Sequence, residues 1–587
     1  MRYLVVFLSM IILVSCKNEF MKKDKTVVVR LIQTTDVHGA IFPDDLLSGE
    51  KRDGSLARVF SYVQTQRAND SLEVILMDNG DLLQGDPVVY YYNFVDQDSV
   101  HLLAKVMNFM GFDVASVGNH DIEAGHKAYD AFRDNLQFDW LAANAVDDST
   151  GKPYFKPYTI INRNGLKIAV LGLITPSIPN WLPPSTYSGM HFDDMIESAK
   201  FWVSEIRLKE KPDALVGLFH SGLNASYGGG NPEEKFNENA ALLVAKQEPG
   251  LDVVFAGHDH RIANLIIENV AGDTVLVINP GPYGVNVGQV DLCFEWNFQE
   301  NKYDLNKTGS IVSMDEIKPD SHFLYRFNLD LEAVRRYVKQ PIGRLVRKID
   351  ASQSLFGSSA AVDLVHAAQL ELSEADLSLA SPFYMDYQMD TGMLFMKDMF
   401  RLYRFENFLY LMEMSGLEFK NALEYSYDKW IKTMHSADDI MFQLAEDESG
   451  KLKLNDRGKY FLKNPFYNFD SGGGLIYTVD LTKNFGERVK IECFIDGRPF
   501  DLEGKYKVAM NSYRANGGGS ILTEGAGIDK AELTKRILST SSTDFRLMLS
   551  KWIASKRKID AKPANNWKFI PENYAEKGKL NYLLVRY

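Results

Sequence analysis

Five apolar runs in this chain each stop at a polar cluster of the same kind, and that recurrence limits the fold more than any other feature. Residues 27–32 lead into Thr34-Thr35-Asp36-Val37-His38-Gly39, and 74–77 into Asp78-Asn79-Gly80-Asp81. Residues 112–117 run into Gly118-Asn119-His120-Asp121, 214–219 into His220-Ser221-Gly222, and 253–256 into Gly257-His258-Asp259-His260. Short apolar, β-branched runs that break off in this way read as buried strands opening into loops. Further strands are expected at 138–143 and 166–174, with helices at 55–67, 99–110 and 194–208. Strands alternating with helices give an α/β sandwich of stacked sheets, and such folds keep their chemistry at strand ends. Of 11 histidines, His38, His120, His220, His258 and His260 stand at these ends, where chance would have scattered them. His101, His126, His191, His322, His366 and His435 have no such setting and read as surface or internally satisfied residues.

A chain of 587 residues is too long for one core, so two or more domains are expected. Its 65 basic and 78 acidic side chains leave a net charge of −13, which offers no basic excess for a nucleic-acid polymer. A small anionic substrate would need local positive charge, which metal ions can supply. Cys293 and Cys493 lie far apart and read as buried small hydrophobes rather than a disulfide framework. At the N-terminus, residues 3–14 form an apolar run behind Arg2. It is too short to span a bilayer, which takes about 20 apolar residues, and has signal-peptide proportions. Ser15-Cys16 at its end resembles a bacterial lipobox. That resemblance implies a lipoprotein signal peptide over 1–16, lipidation at Cys16 and a polar tether over 17–25. The protein would then sit in a bacterial cell envelope, periplasmic or at the surface, touching membrane only through its lipid anchor.

Imidazole nitrogens and carboxylate oxygens together suit divalent transition metals. A closed structural zinc site needs four ligands. Asp36, His38, Asp81, Asn119, His220, His258 and His260 exceed that and suffice for two ions sharing a bridge, with the two oxygens of Asp81 as the natural bridge. Asp36-x-His38 and His258-x-His260 would each place two side chains on one side of an extended segment, by the period of two along a strand. Two metals roughly 3.5–4 Å apart clamp an in-line displacement at phosphorus and activate water.

In this order and spacing, DxH, GD, GNHD, a lone His and GHDH resemble the calcineurin-like metallophosphoesterases. With the long second half, the chain resembles their 5′-nucleotidase family, which includes 2′,3′-cyclic-nucleotide phosphodiesterase/3′-nucleotidases. The resemblance implies an α/β fold: an N-terminal four-layer α/β/β/α metallophosphoesterase domain over 26–325 plus a smaller α+β C-terminal substrate domain over 342–560. A helix-like run with Pro341 behind it reads as the linker helix, 326–341, and 561–587 as a loosely packed polar tail. The second half reads independently as α+β, with a helix at 360–372 and strands at 408–414, 489–494 and 506–511.

The resemblance also implies site roles. One metal takes Asp36, His38, Asp81 and His260; the other takes Asp81, Asn119, His220 and His258, with zinc, manganese or cobalt as the ions. His120 would face the leaving oxygen, held by Glu123 where the family often has Asp, while Asp121 is structural. Leu402-Tyr403-Arg404-Phe405-Glu406-Asn407 and Asn511-Ser512-Tyr513-Arg514-Ala515-Asn516-Gly517-Gly518 resemble the segments whose aromatics sandwich the nucleobase, with Phe405 and Tyr513 at the stacking positions. Base–aromatic stacking is worth about 1–3 kcal/mol per base. The family's Gly-Gly-x-Arg segment is absent: the chain reads Ala375-Asp376-Leu377-Ser378-Leu379-Ala380-Ser381-Pro382-Phe383, closer to the cyclic-phosphodiesterase branch. The expected function is metal-dependent hydrolysis of nucleotide phosphate esters by a monomer. A non-nucleotide phosphate ester as substrate, or a surface binding lipoprotein on the same scaffold, are the alternatives.

Overall fold

Alternation along the strands of the first half sorts their side chains onto two faces, and two sheets stack on the apolar ones. The computed structural model describes residues 26–586 apart from 228–230, 386, 448–449 and 455–459. The signal peptide, tether and Cys16 lie outside the described residues. The first sheet has the strand order Lys302–Ser313, Asn286–Asn297, Thr26–Thr34, Leu72–Asp78, Val114–Ser116, Asp139–Leu141. The last four run parallel to one another. The second sheet is ordered Ile262–Glu268, Thr274–Pro280, Val253–Ala256, Ala214–His220, Leu166–Ile174, Tyr158–Arg163. Val29, Leu31, Ile75 and Met77 of the first sheet meet Ile168, Val170, Val216, Leu218 and Phe255 of the second in one buried cluster. On the outer faces, Leu56–Arg67 and Leu102–Met110 cover the first sheet, while Met195–Lys209 and Ala241–Gln247 cover the second. The result is four layers, α/β/β/α. Among the described residues no helix is long and apolar enough to cross a membrane.

The connection to the second half is two helices, Ser321–Arg326 and Asn328–Val338, where one linker helix over 326–341 was expected. The break falls at buried Phe327, whose ring packs 5.1 Å from Phe323 and 5.5 Å from Phe109. Core packing of that ring takes precedence over continuing the helix. Pro341 lies beyond the helix and opens the strand Pro341–Leu345, at the first-residue position where a strand tolerates proline. The second domain is built on a sheet ordered Ser471–Gly473, Leu377–Ala380, Lys505–Asn511, Phe408–Ser415, Ile537–Asp544. Helices Ala360–Ser373, Gly416–Trp430 and Phe545–Lys556 complete it. Ser415 and Glu418 form a capping box that starts Gly416–Trp430, satisfying two backbone donors at once. The domains touch directly: the Tyr90 hydroxyl donates to Asp544 at 2.8 Å, and Arg401 donates to the Leu47 carbonyl at 2.9 Å.

Two expectations from sequence need correction. Cys293 and Cys493 are free and only half-buried. The segment 561–587 is no loose tail: Trp567–Ile570 pairs in parallel with Leu475–Asp480, and the helix Glu572–Arg586 follows. Its polar composition hides a strand whose alternate residues, Trp567 and Phe569, share one buried face. Trp567 lies 5.3 Å from Tyr427 and 5.9 Å from Trp430. Trp567→Ala is therefore expected to lose about 3–5 kcal/mol of stability. An unchanged urea midpoint would show that this segment does not belong to the core.

Candidate metal centre

Parallel strands deliver their C-terminal ends to one edge of a sheet. Here both sheets do so at the same edge, and short backbone bonds stitch the loops together. Asp36 N donates to Gly80 O at 2.9 Å and His38 N to Asp81 O at 3.0 Å, while the buried Asn79 amide reaches Phe219 O of the other sheet at 2.9 Å. Asp36 and His38 are not extended, as the strand periodicity predicted, but left-handed, with φ of 50° and 49°. Asp81, His258 and His260 share that conformation, with φ of 58°, 71° and 56°. Each such residue costs on the order of 1–3 kcal/mol and persists only where its surroundings hold it. Convergence of the donors thus comes from strained turns rather than from strand alternation.

Close approach of the loops depends on glycine. A Cβ at Gly118 would lie 2.2 Å from the Asp81 backbone nitrogen. Asp121 then locks the junction: its carboxylate accepts from the backbone nitrogens of Gly118 at 2.7 Å, Asp81 at 3.1 Å, Leu82 at 2.7 Å and Leu83 at 2.8 Å.

The seven expected ligands fall into two groups meeting at Asp81. Donor atoms of Asp36, His38 and His260 lie within 4.8 Å of one another, as do those of Asp81, His220 and His258. Asn119 Oδ1 stands 3.1 Å from His220 Nε2 and 2.8 Å from His258 Nδ1. Asp81 Oδ2 lies 3.2 Å from His220 Nε2 and 4.0 Å from His38 Nε2, between the two groups. Outer partners orient the rings. His38 Nδ1 is fixed on Gln84 O at 3.0 Å and His220 Nδ1 on Asn79 O at 2.6 Å, which leaves each Nε2 facing inward. The donor set, with nitrogens and oxygens aimed at two points and a carboxylate between, fits a pair of divalent ions.

Electrostatics point the same way. Burial pulls the His38 imidazole down to about 4, so its lone pair is available. Burial also works against charge on His220, but Asp81 and Asp36 outweigh it and raise the group to about 10. Beside this cluster stands His120, its ring 5.5 Å from that of His38 and its Nδ1 2.5 Å from Glu123 Oε2. Burial lowers His120, and the carboxylates of Asp81 and Glu123 overcome it, leaving the imidazole raised to about 9.

The second domain brings its own residues to this edge. Phe405 and Tyr513 both meet Tyr467 edge-on, at 6.0 Å and 6.4 Å, so the two expected stacking rings share Tyr467 as a neighbour. Glu406, next in the chain, is buried and is reached by Arg546 at 3.3 Å. Burial pushes its carboxyl up to about 8 despite Arg546, with Glu123 of the first domain adding to the rise. Residues that sequence reasoning passed over include Glu238, 2.9 Å from His258 Nε2, and Trp181, stacked on the His258 ring at 5.6 Å. Tyr283, 5.7 Å from His38 and 6.0 Å from His260, also belongs here. Glu238 follows no apolar run, and Tyr283, just beyond the strand Thr274–Pro280, carries no ligating group that would mark it. The six remaining histidines stay away from the site; His101 and His366, for example, are buried on Asn93 and on Ser378 with Ser471.

A ligand histidine that holds a proton must lose it to solvent when a metal ion takes its lone pair. Titration of the metal-free protein with zinc or manganese at pH 7 is therefore expected to release protons, chiefly from His220. Calorimetry in buffers of different protonation enthalpy should show a buffer-dependent heat; an identical heat in all buffers would contradict this account.

Residues 29–261, which contain all seven ligand candidates, match the family model for calcineurin-like phosphoesterases. Residues 338–524 match that for the 5′-nucleotidase C-terminal domain. The 2′,3′-cyclic-nucleotide 2′-phosphodiesterase/3′-nucleotidase of Salmonella typhimurium is 27% identical over 610 residues, covering 93% of this chain and 89% of its own. The 5′-nucleotidase of Vibrio cholerae is 24% identical over 426 residues, covering 67% of this chain and 75% of its own. A crystal structure of a putative 5′-nucleotidase from Staphylococcus aureus shares the fold, with a TM-score of 0.74 at 21% identity over 92% of this chain and 99% of that one. By both matched models, the chain belongs to the calcineurin-like phosphoesterases that carry a 5′-nucleotidase C-terminal domain, and it is a phosphoric ester hydrolase.

Proposed function

We propose that this chain hydrolyses nucleotide phosphate esters, as a 2′,3′-cyclic-nucleotide 2′-phosphodiesterase/3′-nucleotidase or a 5′-nucleotidase, releasing nucleoside and phosphate. The observation that carries this reading is the gathering of six donors around Asp81, with the His120–Glu123 pair beside them. One ion is assigned to Asp36, His38, Asp81 and His260, the other to Asp81, Asn119, His220 and His258, with zinc, manganese or cobalt suited to the donors. Bound there, the ions supply Lewis acidity at phosphorus and lower the pKa of the attacking water.

His120 acts at the other end of the breaking bond. Its Nδ1–H is taken up by Glu123, so Nε2–H is the group left to donate to the departing ester oxygen. The partner carboxylate keeps the ring oriented and protonated until that donation. Phe405 and Tyr513, which both pack on Tyr467, take the nucleobase between them. The names of the Salmonella and Vibrio relatives support a nucleotide substrate. The protein works as a monomer, anchored through lipidated Cys16 in the envelope of a bacterium, in the periplasm or at the surface.

His120→Asn is expected to lower kcat by about 10²–10⁴-fold, the usual worth of a positioned acid, while two metal ions per chain remain. Equal turnover in the variant would remove His120 from the chemistry. The reading as a whole is tested by phosphate release from 5′-AMP, 3′-AMP and 2′,3′-cyclic AMP with zinc, manganese and cobalt compared. No release in any combination would sink it. Phe405→Ala should raise KM for the favoured nucleotide by about 5–100-fold. An unchanged KM would point to a phosphate ester that carries no base.

A further inference from the structure

One imidazole of the centre is held differently from the others. His38 and His220 each rest Nδ1 on a backbone carbonyl and turn Nε2 inward. His258 is reversed: its Nδ1 faces Asn119 Oδ1 at 2.8 Å, and its Nε2 lies 2.9 Å from Glu238 Oε1. Trp181 stacks on a face of this ring at 5.6 Å, with 26° between the planes, and His220 meets it edge-on at 5.5 Å. These contacts fix the plane of the ring. A half-turn about its Cβ–Cγ bond keeps that plane but exchanges each nitrogen for a carbon, and the bond to Glu238 favours the orientation observed. The same bond selects the tautomer. A carboxylate here can only accept, so the hydrogen sits on Nε2 and the Nδ1 lone pair is left facing Asn119. In the other tautomer Nδ1–H would donate to Asn119 Oδ1, which blocks the ligating atom of both residues at once.

Glu238 reaches the ring from a loop secured to the strand end that carries His220. Ser221 Oγ donates to the Glu238 carbonyl at 2.8 Å and accepts from Ala240 N at 2.8 Å. A Cβ at Gly222 would lie 2.1 Å from Asn239 Oδ1, so glycine permits this close approach. Asp36 and Asp81 are buried, whereas the Glu238 side chain is 39% exposed, and among the described residues His258 is its only ion-pair partner. We propose that Glu238 is a positioning residue that selects the ligating tautomer and orientation of His258. It thereby sets the affinity of one ion of the pair, the one assigned to Asp81, Asn119, His220 and His258. This rests on the two-ion reading of the same centre. The ion assigned to Asp36, His38, Asp81 and His260 takes no ligand that Glu238 touches, so the two ions should respond differently when this carboxylate is changed.

Three variants separate the hydrogen bond from the charge. Glu238→Ala removes both, Glu238→Gln keeps a neutral acceptor in its amide oxygen, and Glu238→Asp keeps the charge but falls one methylene short. Uptake of zinc and of manganese by the full-length, chelator-stripped protein is followed by equilibrium dialysis with elemental analysis. With the side chain half-exposed, the metal-free variants should melt with the wild type. The wild type should take up two ions per chain. Glu238→Ala should bind one of them about 10–100-fold more weakly, the usual cost of losing an outer partner, and the other within about threefold of the wild type. Glu238→Asp should match it, which keeps the question decidable if the alanine variant folds poorly, and Glu238→Gln should recover most of the loss. Unchanged affinity in all three would overturn the proposal, as would equal weakening of both ions. Loss in Glu238→Gln with none in Glu238→Asp would show that charge alone acts and would overturn it too. A wild type that takes up fewer than two ions would overturn the two-ion reading and this proposal with it, whereas two ions with unaltered uptake in the variants would remove Glu238 alone.

Discussion

A carboxylate shut away from water needs counter-charge, and the Asp81 carboxylate is almost fully buried where three loops meet. His220 and His120 hold it well below the usual carboxylate range against the opposing pull of burial. Around it the structure accumulates further buried acids, Asp36, Asp78 and Asp121, each engaged by backbone or side-chain donors. Burial pushes the Asp78 carboxyl well up and that of Asp121 up to about 6, whereas Asp81 and Asp36 are held low against the same burial by His220, His120 and His260, so the negative charge gathers on those two. The two sheets, the left-handed turns and the glycine contacts all serve to hold these groups in one place. The four-layer architecture can be seen as the frame for that charge arrangement.

Much of this was legible in the sequence, for a physical reason. Strand ends in a parallel sheet share an edge, so Asp36, Asp81, Asn119, His220 and His258 could be placed together from order alone. The manner of their convergence was not legible. Asp36-x-His38 suggests an extended pair, and only the loop contacts that hold both residues left-handed override that local preference. Glu238 and Tyr283 escaped notice because their places come from tertiary proximity: Glu238 follows no apolar run, and Tyr283 follows one without a ligating side chain. The segment after 560 was misjudged because its composition is polar, although two aromatics two residues apart already carried the signature of a half-buried strand. Element boundaries fared well where a cap was present, as at Ser359 before the helix expected at 360–372, and poorly at Phe327, where one helix was expected and two are found.

The contact between the domains is as ionic as the centre itself. Arg546 is wholly buried, yet it lies 4.8 Å from the Tyr90 ring and 4.2 Å from Phe400, pairs with Glu406 and donates to the Tyr403 carbonyl at 3.0 Å. A buried ion pair is a weak source of net stability compared with apolar packing, but breaking one partner leaves an uncompensated charge. Its geometry sets where the 403–407 loop lies against the first domain. The segment that carries Phe405 and Glu406 is therefore positioned by one arginine.

Arg404, Phe405 and Glu406 are consecutive, so the ring and the two charges beside it share a single stretch of backbone. Traits that are independent in chemistry become inseparable in heredity. A substitution that re-aims the ring for a different base also displaces the charge on either side of it.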